Sequence, residues 1–179
     1  MPFIEGRSMR AAVLVRTLLV FFLLAGCPVA GQGGAPVPLK SFVLSDVQGL
    51  FGGQSLWAAE DRTAYVQFAG RPPAGQSGMW ETRYKTTLTA NQWAEVERLV
   101  GVHRLLTVKM PDRNGVPDEA RPAMTLVTRS GVTVTVAKWA NDKHPGFDPV
   151  YGYLIELCRL KGELFREGPY DWQWKPEGF

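Results

Sequence analysis

The residues best suited to acid–base chemistry lie in one short segment, which contains Asp142, His144 and Asp148. Histidine titrates near neutral pH, so a carboxylate such as Asp142 beside His144 would orient the ring as a general base. The same side chains would also suit one edge of a metal site, but zinc sites usually draw on more histidine or cysteine ligands. Asp142 and His144 are therefore the candidate catalytic pair. No metal site and no cofactor is predicted, and Asp148 is better placed as a helix cap.

A second group of polar residues flanks a long loop at residues 110–122. Loops of this length are uncommon in compact domains and often carry function. If this loop packs over the loop at 139–148, charged and aromatic side chains from both would meet. The candidate recognition surface for a protein partner consists of Glu119, Arg121, Lys138 and Trp139. A solvated loop that binds nothing is the alternative.

Nucleophile motifs are absent from the sequence, which has neither a Gly-x-Ser-x-Gly elbow nor a Ser-x-x-Lys motif. A non-enzymatic protein-binding module is therefore the favoured function. A small enzyme that uses His144 with Asp142 is one alternative, and a purely structural protein is the other.

The N-terminus has the parts of a secretory signal. Arg7, Arg10 and Arg16 form a basic region, and residues 17–25 form an apolar run. A run of nine residues is too short to cross a bilayer, which takes about 20. It is typical of a cleaved signal peptide.

The apolar run ends in Leu24-Ala25-Gly26-Cys27, which resembles the lipobox of bacterial lipoproteins. The resemblance implies cleavage after residue 26 and lipidation of Cys27. Two or more acyl chains hold a protein on a membrane. The resemblance therefore implies a lipid-anchored protein on the periplasmic or extracytoplasmic face of a bacterial envelope. An ordinary signal peptide, with Cys27 incidental, is the alternative.

Charge does not point to nucleic acid. The 179 residues carry a net charge of +3, but residues 1–26 hold three arginines and one glutamate, so the rest carries +1. The basicity therefore belongs mainly to the signal, and no nucleic-acid partner is predicted. With Cys27 acylated, the other cysteine, Cys158, would have no disulfide partner and is expected to be a buried apolar residue.

The composition divides the chain into four parts. Residues 1–26 are the predicted signal peptide and 27–39 a tether rich in glycine and proline. Residues 40–165 are predicted to form one domain, and 166–179 an aromatic tail that wraps back on it. Alternating or apolar runs predict strands at 40–47, 54–59, 63–69, 79–88, 104–109, 123–128 and 132–139.

Three local patterns are more specific. Thr89 and Gln92 form a capping box for a helix that Gly101 can end. An Arg129-Ser130-Gly131 loop would pair Leu126 with Val134 and Met124 with Val136 in a hairpin. Glu81, Arg83 and Lys85 share the face of their strand that is expected to meet water. A second helix is expected to begin with Asp148 and Pro149, and its apolar face to extend as far as Phe165.

The order of elements predicts an α+β fold, a two-layer domain in which an antiparallel sheet carries two helices packed on one face. The Gly49–Gly53 bend, the Leu88-Thr89-x-x-Gln92 helix, the hairpin and the last helix resemble, in order, emfourin-type protease-inhibitor domains over residues 40–165. The glycines around Phe51 are arranged differently from that family's motif, its serine is absent, and the 110–122 loop is added. The resemblance implies that fold and makes protease inhibition a candidate function.

Overall fold

The computed structural model describes residues 34–160 and 162–179, which form a seven-stranded antiparallel sheet and two helices. The predicted signal peptide, Cys27 and the first part of the predicted tether lie outside the described residues. The elements are β1 (Leu39–Gln48), β2 (Gly52–Ala59), β3 (Thr63–Gly70), β4 (Trp80–Thr87), α1 (Ala90–Val102), β5 (Ala123–Thr128), β6 (Thr133–Ala137), α2 (Asp148–Cys158) and β7 (Glu163–Pro169). The strand order is β6-β5-β1-β2-β3-β4-β7. The α+β class is thus as predicted, and the fold is mostly sheet.

The sheet core follows from alternation in the central strands. Phe42 of β1 pairs with Ala58 of β2, and Leu44 pairs with Leu56, so these side chains point to the same side of the sheet. All four are fully buried. Phe42 and Leu44 thus share one buried face of β1, as the alternating pattern predicted.

Helix α1 begins with the predicted capping box. Thr89 accepts from the Gln92 backbone N–H at 3.1 Å, and the Gln92 side chain accepts from the Thr89 N–H at 2.8 Å. The sequence predicted that the helix ends at Gly101, but it continues to Val102. Gly101 instead lies directly against the backbone of Ala35, where a β-carbon would not fit. Its lack of a side chain therefore serves close packing.

Two local predictions are wrong. Residues 104–107 form turns and 108–109 have no regular structure, because Leu105 is fully buried and its N–H closes the end of α1 onto the Val100 carbonyl at 2.9 Å. Asp148 does not cap α2: Phe147 is the N-cap residue, and no side chain caps that end. The Asp148 carboxylate accepts from the His144 N–H instead.

The end of the chain adds a strand where the sequence predicted a helical face as far as Phe165 and an aromatic tail from residue 166. Helix α2 stops at Cys158, and Glu163–Pro169 forms β7 beside β4. Phe165 therefore contacts Tyr65 and Trp174, with ring centroids 6.0 and 5.9 Å away. The aromatic C-terminal segment returns over the sheet, as expected.

The aromatic C-terminal segment covers the polar side of β4. Glu81 is 1 % exposed and Arg83 is 4 % exposed, so the expectation that both face water is wrong, whereas Lys85 is exposed. Arg83 pairs with Glu81 and lies 4.0 Å from the centroid of the Trp174 ring. The Asp171 N–H also reaches Glu81, at 3.3 Å. The C-terminal segment thus encloses a buried ion pair.

The second hairpin has the predicted register. Leu126 pairs with Val134 and Met124 with Val136, and Gly131 in the turn has φ +87°. Strand β6 pairs only with β5 and therefore forms one edge of the sheet.

Candidate functional site

The 110–122 loop is fixed to the chain that follows β6. Arg113 donates to both carboxylate oxygens of Glu119, at 2.7 and 3.0 Å, and its Nε donates to Asp142 at 2.8 Å. The Trp139 ring N–H donates to the Arg113 carbonyl at 2.9 Å. Paired guanidinium–carboxylate contacts of this geometry are strong and directional. The loop therefore packs against residues 139–142 at a defined position.

The Glu119 carboxylate is buried between the 110–122 loop and the chain that follows β6. Its side chain is 1 % exposed, and it also accepts from the backbone N–H groups of Val116 and Asn141 at 3.1 and 3.0 Å. The Arg113 hydrogen bonds, with help from those two N–H groups, lower the pKa of Glu119 to about 2. The hydrogen bonds from Arg113 to Glu119 and to Asp142 raise the pKa of Arg113 above its usual range. Glu119 anchors the loop and has no free edge to offer a partner.

Lys138 lies beneath the next loop. It is 6 % exposed, and its ammonium group donates to the Asp142 carbonyl at 2.7 Å and pairs with Asp148 at 3.3 Å. Burial would raise the pKa of Asp148, but the His144 N–H and the Lys138 ammonium outweigh it and lower that pKa. Lys138 therefore holds residues 142–148 in place from below.

The two candidate catalytic residues have separate hydrogen-bond partners. Among the described residues, no hydrogen bond joins Asp142 to His144: the carboxylate pairs with Arg113, and the Nδ1 atom of His144 accepts from the Gly146 N–H at 3.1 Å. A backbone group, and no carboxylate, thus orients this imidazole. No cluster of three or more histidine, cysteine or acidic residues suited to a metal occurs in ranges 34–160 and 162–179.

Arg121 and Trp139 are the two predicted surface residues that remain accessible. The Arg121 guanidinium carbon lies 5.1 Å from the centroid of the Trp139 ring, within the range of a cation–π contact. Arg121 is exposed, and no ion pair involves it within the described part of the chain. It is a cation held in place by a ring and free to meet an anion.

An open groove of about 600 Å³ runs beside Arg121. Strand β6 forms one wall, and the segment after α1 contributes the other. Its apolar lining residues are Val108, Met110, Val134 and Val136. The groove thus combines an apolar wall, a cation and the sheet edge.

The backbone of β6 has one side free. The Thr128 N–H donates to the Val132 carbonyl at 2.9 Å, and the Lys138 N–H donates to the Pro122 carbonyl at 3.2 Å. Since successive residues of a strand alternate in direction, even-numbered positions face β5 and odd-numbered ones face outward. The outward N–H and C=O groups belong to Thr133, Thr135 and Ala137.

Sequence reasoning missed this edge because strand order cannot be read from local pattern. One signal was present: residues 133–137 have high strand propensity and contain neither a charge nor a proline. Natural edge strands are usually blunted by such residues. The opposite edge, β7, is of that kind, with Glu163, Arg166, Glu167 and Pro169.

Cys158 is fully buried beside a second, apolar cavity of about 410 Å³ between the end of α2 and β3–β4. Burial, with a smaller effect of Asp46, raises the pKa of its thiol to about 12. Phe68, Tyr84 and Leu160 line the same cavity. The thiol is therefore an apolar packing group at neutral pH, as its position in the sequence predicted.

The search for similar proteins returns nothing: no family model, curated protein or solved structure matches the chain. Within the described ranges, neither helix is long and apolar enough to cross a bilayer. The geometry of the site is therefore the basis for a functional proposal.

Proposed function

We propose that this protein is a non-enzymatic protein-binding module held at a bacterial envelope. The observation that carries the proposal is the groove beside β6, where an uncovered strand, an apolar wall and the accessible Arg121 meet. Sites for protein partners commonly combine apolar contact area with a few placed charges. Trp139 and Arg121 are of the residue types enriched at such sites.

Binding is favoured over catalysis by what the polar residues do. Asp142 is paired with Arg113, and His144 is held by a backbone N–H. The buried Cys158 has a pKa far above neutrality and is a poor nucleophile. The described polar groups are used to fix loops beside the groove, which is what a rigid binding surface needs.

Attachment to the envelope is part of the proposal. The Leu24-Ala25-Gly26-Cys27 sequence and its basic and apolar leader support lipidation of Cys27. Residues 28–33, rich in glycine, then separate the lipid from the folded part. The membrane is thus one partner, through Cys27, and a protein is the other. Intact-mass analysis of the mature chain would reveal an unmodified Cys27 if this part is wrong.

We also propose that both helices cover the same face of the sheet. Trp93 of α1 contacts Phe42, with ring centroids 5.3 Å apart. Tyr151 of α2 donates to Asp46 at 2.6 Å, and Asp46 shares the orientation of Phe42 in β1. This arrangement leaves the β6 edge without a covering helix.

Protease inhibition is one form that such binding can take. The resemblance of element order to emfourin-type domains supports it. The uncovered strand is a second support, because an exposed sheet edge can pair with an extended segment of a partner protein. A panel of envelope proteases assayed with the purified protein would test this narrower form.

The main experiment is site-specific photo-crosslinking in cells that express the full chain. A photoreactive residue at Arg121 or Thr135 should give discrete protein adducts. The matched control is Glu156, which is also exposed but lies on α2 and does not line the groove. Adducts at all three positions, or at none, would contradict a protein-binding groove.

A further inference from the structure

We infer that the groove binds its partner by strand addition: an extended peptide segment pairs with β6 as an eighth strand and places a carboxylate on Arg121. This inference rests on the proposed function and specifies its partner. Strand addition occurs where a sheet edge presents unpaired backbone groups in a regular row. The outward groups of Thr133, Thr135 and Ala137 form such a row.

The outward edge of β6 is accessible to a partner strand. Thr133 and Thr135 are exposed, and in the described residues no hydrogen bond reaches the outward groups of β6. An edge with no charge and no proline is an aggregation hazard, which proteins normally remove. The contrast with β7, which carries three charges and ends in Pro169, indicates that the β6 edge has a use.

The groove specifies the side chains of the segment. Every second side chain of an added strand would lie over the wall formed by Val108, Met110 and Val134, so those positions should be apolar. Arg121 lines the same groove and lies two residues before Ala123, which pairs with Ala137 at the C-terminal end of β6. If the added strand is antiparallel like every other pair in the sheet, its N-terminal end meets Arg121. The partner segment should therefore carry Asp or Glu followed by alternating apolar residues.

Charge argues against a second copy of this chain as the occupant. Antiparallel pairing of two β6 strands would bring the turn that carries Arg129 toward Arg121 of the other copy. Parallel pairing would place the two Arg121 side chains side by side. In the antiparallel arrangement the carboxylate near that turn, Glu60, already pairs with Arg129 at 3.4 Å, so Arg121 would gain no free carboxylate. In the parallel arrangement two like charges would meet, which is unfavourable.

The test selects a displayed library of random ten-residue peptides on the full-length protein in detergent micelles. Enriched peptides should show the acidic-then-alternating pattern. Thr135→Pro, which removes an outward N–H and leaves every β5–β6 backbone hydrogen bond, should weaken their binding by about tenfold or more. Thr135→Ala, which keeps the N–H, is the matched control and should bind within about twofold of wild type. Arg121→Gln should weaken binding and reduce its dependence on salt.

Equal binding to wild type and Thr135→Pro would overturn strand addition while leaving peptide binding, and hence the proposed function, intact. If Thr135→Pro does not fold, the same peptide N-methylated at alternate residues replaces it; undiminished affinity of every methylated form would also overturn the inference. Failure to enrich any peptide would do so too, and the crosslinking experiment then decides the proposed function separately. A dimer that Thr135→Pro dissociates would identify a second copy as the occupant and refute the peptide.

Discussion

Replacing Gly101 by alanine tests how the first described residues are attached to the domain. A β-carbon at Gly101 would lie 2.0 Å from the Ala35 carbonyl oxygen, about 1.4 Å inside the 3.4 Å at which ordinary contact begins. The obstacle is backbone, so residues 34–37 or the end of α1 must move. The Val37 N–H, which donates to the Glu97 carbonyl at 3.0 Å, is the first bond at risk.

The magnitude follows from two opposing effects. Overpacking a tight contact costs about 1–3 kcal/mol, and alanine in place of glycine in a helix gains about 0.5–1 kcal/mol. Gly101→Ala should therefore lower the free energy of unfolding by about 0.5–2 kcal/mol. Gly152→Ala is the matched control, because Gly152 is also helical but has nothing within 4 Å of its would-be β-carbon. It should raise the unfolding free energy by about 0.5–1 kcal/mol.

Urea unfolding followed by tryptophan fluorescence measures both variants. Hydrogen exchange at the Val37 amide reports the local effect, which should be faster exchange in Gly101→Ala only. A Gly101→Ala protein as stable as wild type, with a protected Val37 amide, would refute the close packing of residues 34–37 on α1.

Three further outcomes are expected. Glu81→Ala should lower the free energy of unfolding by about 3–5 kcal/mol, because it leaves the buried Arg83 without the Glu81 carboxylate. A Glu81→Met/Arg83→Met double variant should recover most of that loss of stability. Equal losses in the single and double variants would contradict this. Native Cys158 should resist iodoacetamide at neutral pH and react after unfolding, because burial raises its pKa to about 12; rapid native alkylation would count against burial. Ionised Glu119 stabilises the docked loop, and its pKa is lowered from the ordinary 4.5 to about 2. This stabilisation is complete above pH 4.5 and is lost as the pH falls toward about 2. Pepsin should therefore cut the 110–122 loop of wild type increasingly over that range relative to Glu119→Gln, since the ratio cancels the pH dependence of the protease itself. A ratio that does not change with pH would oppose this.

Local patterns in the sequence predicted local structure well. The capping box at Thr89 and the three-residue turn ending in Gly131 depend on neighbours within a few residues, and both are present as predicted. Alternation likewise identified the buried Phe42 and Leu44 in β1 and Ala64 and Val66 in β3, although Gln67 is buried as well. These features are decided by hydrogen bonds and faces that the sequence displays directly.

The sequence did not predict in the same way which side chains are covered by segments far away in the chain. Alternation separated Glu81 and Arg83 from the apolar face, but nothing nearby shows that Trp174 covers them from the chain end. Likewise, Phe165 fits a helical spacing, and only pairing with β4, some 80 positions earlier, makes it part of a strand. The edge position of β6 is a property of strand order, which sequence pattern does not contain.

The same limit explains the candidate site. Sequence reasoning named Glu119, Arg121, Lys138 and Trp139, and the structure brings their segments together. It also shows that Glu119 and Lys138 are buried in internal contacts. Arg121 is left as the accessible cation beside a groove that the sequence did not reveal.

Amide hydrogen exchange of β6 with and without a selected peptide tests the central claim most directly. Strand addition predicts that binding slows exchange at Thr133, Thr135 and Ala137, whose N–H groups point outward. Val134 and Val136 already bond to β5 and should change little, as should the β7 edge. Uniform protection of all five residues, or none at the three outward amides, would contradict the account.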